Sequence, residues 1–200
     1  MSIQSYFATS ISHGALSAAR RLNPQLLNEI YNLSEEDEAG IAWSEKNYAG
    51  GFTSYASANQ MHKMSPTFAA LEKEIRKDVI KFVKSLRLNT PLKALEMTTC
   101  WVNIMGPNSS HSAHIHPHSV VSGTYYVQMP KRASAIRFED PRYAHFMARP
   151  PVEPKADEKF QTHVSLAARP GDLILFESWL RHEVPMNSSK EPRISISFNY

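Results

Sequence analysis

In the stretch 66–87, apolar residues fall at Phe68, Leu71, Ile75, Val79, Phe82, Val83 and Leu86. That spacing lays one stripe along a helix and buries it on a single face. Ser65 is a fitting N-cap, and Pro66 suits the first helical position, where its missing N–H costs nothing. Lys73, Arg76, Lys77, Lys81, Lys84 and Arg87 occupy the other faces. A solvated surface accounts for them better than nucleic acid does. A second helical pattern covers 22–33, through Leu22, Leu26, Leu27, Ile30 and Leu33. The acidic run 34–38 after it reads as a solvated loop. Residues 3–12 read as an opening strand, and 47–56, with Gly50-Gly51 and aromatic neighbours, as a turn and a short strand.

After Pro91 the texture changes to short runs separated by turn signals. Strands are expected near 94–104, 112–116, 121–129, 134–138, 163–168, 173–176, 180–184 and 193–199. Many short strands at this spacing predict a jelly roll or sandwich. Residues 141–162 carry Pro141, Pro150, Pro151 and Pro154 and little strand signal, so a long excursion, a candidate lid, is expected there. The picture is one domain, mainly β with flanking helices. Residues 1–92 supply supporting helices and strands, and 93–200 form the jelly-roll core.

Composition narrows the function classes. Of 200 residues, 42% are apolar and 20% charged, which excludes disorder and fibre. The excess of 22 Lys and Arg over 19 Asp and Glu is spread along the chain, so it argues against nucleic acid as a partner. Seven glycines form neither GxGxxG nor a Walker loop, which argues against dinucleotide and P-loop chemistry. A single cysteine, Cys100, rules out an internal disulfide and a Cys-based zinc site, and it fits a cytoplasmic protein. Neither a secretory leader nor a membrane span is visible.

Four of the nine histidines fall within 111–118. His114 and His116 are two apart. In a strand such residues share a face, roughly 7 Å apart at Cα, close enough to converge on one metal ion. Pro117 favours extended backbone at His116. His111 has the opposite parity and His118 lies beyond the proline, so the expected pair is 114 and 116. His182 follows the turn Pro170-Gly171-Asp172 and the apolar run 173–176, and it could deliver a third imidazole from a neighbouring strand. Eleven residues on, Arg193 opens a strand whose alternation sends Ile194, Ile196 and Phe198 to one side and Arg193, Ser195 and Ser197 to the other. An arginine beside hydroxyls makes a carboxylate receptor.

Together, HIHPHSVVSGTYYVQMP, IRFEDPR, PGDLILFESWLRHEVPMN and RISISFN resemble the iron(II)/2-oxoglutarate-dependent oxygenases. They resemble most closely a smaller group of these from bacteria and marine phages, over about residues 93–200. The resemblance implies a double-stranded β-helix, a cupin-like jelly roll, with iron at its open end. It implies His114 and His182 as ligands and Arg193, assisted by Ser195, on the far carboxylate of 2-oxoglutarate. Asn103 takes a position from which related oxygenases donate to the co-substrate. The expected activity is hydroxylation of a substrate, with Fe(II) as metal and 2-oxoglutarate as co-substrate. The substrate itself, small or macromolecular, is not legible in the sequence, and an oligomer is compatible with it.

The chain departs from the wider family at residue 116, where a carboxylate is usual and this chain has His. Three imidazoles also suit zinc, copper or nickel. A carboxylate could come instead from Asp140 or Glu139. Asp140, Arg142 and Tyr126 are candidates for substrate contact, and Tyr143, His145 and Phe146 for pocket lining. Two other readings compete: a cupin-like three-His dioxygenase that needs no 2-oxoglutarate, and a non-catalytic metal-binding jelly roll.

Overall fold

The computed structural model describes residues 1–200. In chain order the elements are β1 (Ile11–Ala15), α1 (Ala19–Glu36), α2 (Glu38–Asn47), β2 (Gly51–Thr53), α3 (Met61–Met64), α4 (Pro66–Ser85), β3 (Thr99–Met105), β4 (His111–His114), β5 (Val121–Gln128), β6 (Ile136–Glu139), β7 (His163–Leu166), β8 (Asp172–Glu177), β9 (His182–Val184) and β10 (Arg193–Asn199). Six strands form one antiparallel sheet in the order β1-β8-β5-β10-β3-β2, and four form a second in the order β4-β9-β6-β7. This is the expected jelly roll.

The main helix is where its stripe predicts. Ser65 Oγ accepts from the Thr67 and Phe68 amides, and Pro66 starts the first turn. The acidic run, by contrast, is helical rather than a loop. Helix α1 runs through Glu36, and Asp37 then caps α2 by accepting from Gly40 N at 2.9 Å. A cluster of acids at a helix junction has the composition of a loop, but Asp is also a preferred N-cap. The opening strand starts only at Ile11. The strand expected from 94 starts only at Thr99, and before it Arg76 donates to the Leu92 and Leu95 carbonyls.

Alternation along the strands divides two cores. Val102, Val121, Tyr125, Val127, Leu173, Leu175, Ile194, Ile196 and Phe198 face α1 and α4, where they meet Leu22, Leu26, Ile30, Phe68, Leu71 and Ile75. The opposite parity faces the space between the sheets, where Tyr126, Ile174 and Phe176 pack against Ile136, Phe138 and Leu180. The same inward parity carries Trp101, Asn103, Arg193, Ser195 and Ser197, which line the open end of the roll. Gly123 sits where β5 and β8 approach too closely for a side chain: a Cβ there would lie 2.8 Å from the Ile174 carbonyl oxygen.

Candidate metal centre

Antiparallel pairing places His114 of β4 directly opposite His182 of β9. Their ring centroids are 4.4 Å apart. His116 lies past the end of β4, because the strand stops at His114 and does not run to 116 as its pattern predicts. Its amide donates to the Ser178 carbonyl at 2.9 Å, which fastens the loop across the mouth of the roll. Its ring stands 5.0 Å from that of His114 and 5.1 Å from that of His182. One ligand atom from each of the three lies within 4.8 Å of the other two.

The donor set suits a divalent transition metal. A carbonyl oxygen can only accept, so the contacts from His114 Nδ1 to the Ser112 carbonyl (2.7 Å) and from His182 Nδ1 to the Leu180 carbonyl (2.9 Å) fix the proton on Nδ1. Nε2 of each ring keeps its lone pair. Burial holds the imidazoles neutral: His116 is pushed down to about 4 and His182 to about 3, and His114 is lowered for the same reason. Three neutral imidazoles fit iron(II) and leave room for other ligands on an octahedral ion. No carboxylate joins them. Glu139 pairs with Arg181 at 2.8 Å, and Asp140 with Arg142 at 2.8 Å and Arg149 at 3.9 Å.

A narrow inner cavity extends from the histidines to Arg193. The Arg193 side chain is buried, with 2% of the residue exposed, and no carboxylate lies within ion-pair distance of it. Its Nη1 donates to Ser195 Oγ at 3.2 Å, and its guanidinium lies 5.0 Å from the centre of the Tyr126 ring. Arg193 Nε and the Tyr48 and Tyr126 hydroxyls have no hydrogen-bond partner. A buried cation with free donors around it is a receptor for an anion. Asn103 also lines this cavity; its Oδ1 accepts from Thr53 Oγ1 at 2.9 Å, and it gives one amide hydrogen to Ser197 Oγ at 3.1 Å.

Not every expected site residue comes here. Asp140 and Arg142 line neither this cavity nor the larger one outside it, and no residue of the excursion 141–162 does so. The excursion joins β6 to β7, the edge strand farthest from β4 in its sheet. Tyr126 is placed beneath the Arg193 guanidinium. His111 moves the other way. A bulge between His111 and His114 breaks the strand parity, and the His111 ring stands 5.0 Å from that of His114 and edge-on to Tyr48. Burial pushes its pKa down to about 4. Tyr48, at the end of α2, had no signal in the sequence, because nothing local in 47–56 points to His111, far along the chain in β4.

Comparison with known proteins shows the family and the fold. The sequence pattern of a family described as "Putative 2OG-Fe(II) oxygenase" matches residues 99–199. The chain belongs to this family. No curated protein matches the chain in sequence. Among solved structures, a Pseudomonas putida prolyl-4-hydroxylase is similar over 96% of this chain and 92% of its own, at 16% identity and a TM-score of 0.62. The alpha-ketoglutarate-dependent epimerase SnoN of nogalamycin biosynthesis is similar over 95% of this chain and 76% of its own (14%, 0.64). HygX of Streptomyces hygroscopicus, solved with nickel, 2-oxoglutarate and hygromycin B, is similar over 95% and 82% (13%, 0.62). At these identities the likeness establishes the double-stranded β-helix of the 2OG-Fe(II) oxygenase. No helix is long and apolar enough to cross a membrane.

Proposed function

We propose that this 2OG-Fe(II) oxygenase holds iron through His114, His116 and His182, binds 2-oxoglutarate in the inner cavity, and hydroxylates a small molecule. The observation that carries the reading is Arg193: a buried guanidinium, without a carboxylate partner, in the cavity that the three histidines close. Bound iron supplies oxygen activation coupled to decarboxylation of 2-oxoglutarate to succinate and CO2, with oxidation of a substrate C–H bond.

The residues divide the remaining work. Arg193 takes the far carboxylate of 2-oxoglutarate, and its free Nε adds a second, charge-assisted donor. Ser195 and the Tyr126 ring hold the guanidinium in place. The Tyr48 hydroxyl, raised to about 12 chiefly by burial, stays protonated and can donate to the same co-substrate. Asn103, held by Thr53 and Ser197, keeps its second amide hydrogen for the co-substrate. The Nδ1 contacts of His114 and His182 fix which ring nitrogen faces the metal. With His at 116, the protein contributes no negative charge to the centre, which favours the 2-oxoglutarate dianion. A cupin-like enzyme without 2-oxoglutarate would need Arg193 only if its own substrate brought an anion into the inner cavity. The free, buried Cys100 suits a reducing, cytoplasmic setting.

The test is succinate formation by the purified chain. It should require both Fe(II) and 2-oxoglutarate and rise when a substrate is present. Firm iron binding with no 2-oxoglutarate turnover, coupled or uncoupled, would overturn the reading in favour of the cupin-like dioxygenase or the non-catalytic metal module.

A further inference from the structure

Beside the inner cavity the fold opens a second one, of about 600 Å³, that His114 and His116 line and Arg193 does not. It shares Tyr48, Trp101, His111, His114 and His116 with the inner cavity, so two of the three metal-site histidines border both. Its size is that of a site for a small organic ligand of roughly two or three rings.

Two features of the lining select the ligand. First, none of its 16 residues is Asp, Glu, Lys or Arg. An ionised group on the part of a ligand away from the histidines gives up hydration there and meets no charged side chain. Second, it presents aromatic faces. Tyr55 stands edge-on to Trp101, with centroids 5.1 Å apart, and Trp43 of α2 borders the same space. Trp43 and Tyr55 remain 36% and 49% exposed, although each is large and apolar. Around the rings, Asn108, Ser110 and Ser112 have side chains that make no hydrogen bond within the chain, which leaves neutral donors and acceptors for hydroxyl or amide groups.

We propose that the outer cavity is the substrate site and that it takes an uncharged, ring-bearing small molecule. One ring stacks on Trp43, Tyr55 and Trp101, and its hydroxyls meet Asn108, Ser110 and Ser112. This rests on the oxygenase reading only for the word substrate; the binding preference follows from the lining. The missing Lys and Arg weaken binding of nucleotides and acidic metabolites, and the missing carboxylates that of amino sugars, relative to a neutral ligand of the same shape.

The experiment uses the full chain loaded with Zn(II) and 2-oxoglutarate, so that no turnover intervenes, and reads tryptophan fluorescence and calorimetric heat. The probes differ at one position: phenyl β-glucoside, its 6-carboxylate (the glucuronide) and its 6-amino-6-deoxy analogue. Methyl β-glucoside and 2-naphthol separate a sugar-face ligand from an aromatic one. The neutral phenyl glucoside is expected to bind at least roughly tenfold more tightly than either charged analogue. Trp43→Ala and Tyr55→Ala, both at half-exposed positions, should each weaken it about fivefold or more. The variants should keep wild-type thermal stability and 2-oxoglutarate affinity. A charged analogue binding as tightly, no saturable binding of any neutral probe, or indifference to both substitutions overturns the proposal. Normal ring binding in a chain that fails to bind 2-oxoglutarate would instead sink the oxygenase reading and leave the cavity assignment standing.

Discussion

Arg193→Met tests the co-substrate site from two directions. Methionine keeps the length and flexibility of the side chain and removes the charge. Without ligand, the wild-type guanidinium is buried against one hydroxyl and one aromatic ring, with Nε unpaired. The substitution forfeits a charge-assisted hydrogen bond of ~1.5–3 kcal/mol and a cation–π contact of up to ~2 kcal/mol. It also removes the desolvation of an unpaired buried charge, which costs several kcal/mol. These oppose each other, so the ligand-free variant should unfold within about 1 kcal/mol of wild type, far less than the ~3 kcal/mol usual for cutting back a large core side chain. Binding should respond very differently. Removing one partner of a buried, hydrogen-bonded charge pair costs ~2–5 kcal/mol. About 3 kcal/mol corresponds to on the order of a 10²-fold weaker Kd for 2-oxoglutarate. The assay is an anaerobic titration of the Fe(II)-loaded chain with 2-oxoglutarate, following the weak visible charge-transfer band of the chelated oxo acid, beside urea unfolding of the ligand-free protein. A variant that binds 2-oxoglutarate normally, or that loses several kcal/mol of stability without ligand, would show that Arg193 is a structural residue and that the inner cavity is not an anion receptor.

Three further perturbations follow from the same geometry. His182→Ala removes the ligand opposite His114 and should lower Fe(II) or Zn(II) affinity by at least ~10²-fold, read by competition with a chelator; unchanged stoichiometric metal would remove His182 from the centre. Gly123→Ala forces a Cβ toward the Ile174 carbonyl, and should cost ~1–3 kcal/mol in urea unfolding, with metal affinity retained. Asp140→Asn should leave 2-oxoglutarate and metal affinities unchanged, because Asp140 is occupied by arginines away from both cavities. The hydrogen bond from Arg142 holds the Asp140 carboxyl below its usual range, so its contribution is full at neutral pH and fades as pH falls below about 4 through the lowered folded-state value. With Arg142 largely exposed, the loss at pH 7 should be only ~0.2–1 kcal/mol and absent in strong acid.

The sequence by itself determined what depends on near neighbours. The stripe from Phe68 to Leu86, capped by Ser65-Pro66, specifies α4 because a helix closes its bonds within four residues. The alternation from Arg193 to Asn199 specifies which side chains share a face, and β10 turns Arg193, Ser195 and Ser197 inward together, as that alternation requires. The His-rich tract marked a metal site, and His182 and Arg193 stood out on their own strands as a further ligand and a carboxylate receptor, but that they join one centre rested on resemblance, since no local pattern links residues about seventy apart. Only the tertiary structure decided the rest. Strand pairing set His114 against His182, and a bulge that no parity rule foresees brought His111 inward. The cap at Asp37 turned an acidic run into a helix junction, delivering Tyr48 and Trp43 to the site from the other end of the chain. The excursion at 141–162 has the composition of a lid, yet it hangs from an edge strand and lines neither cavity. Local composition can show that a segment is exposed; what it is exposed beside depends on long-range packing, which no window of sequence contains.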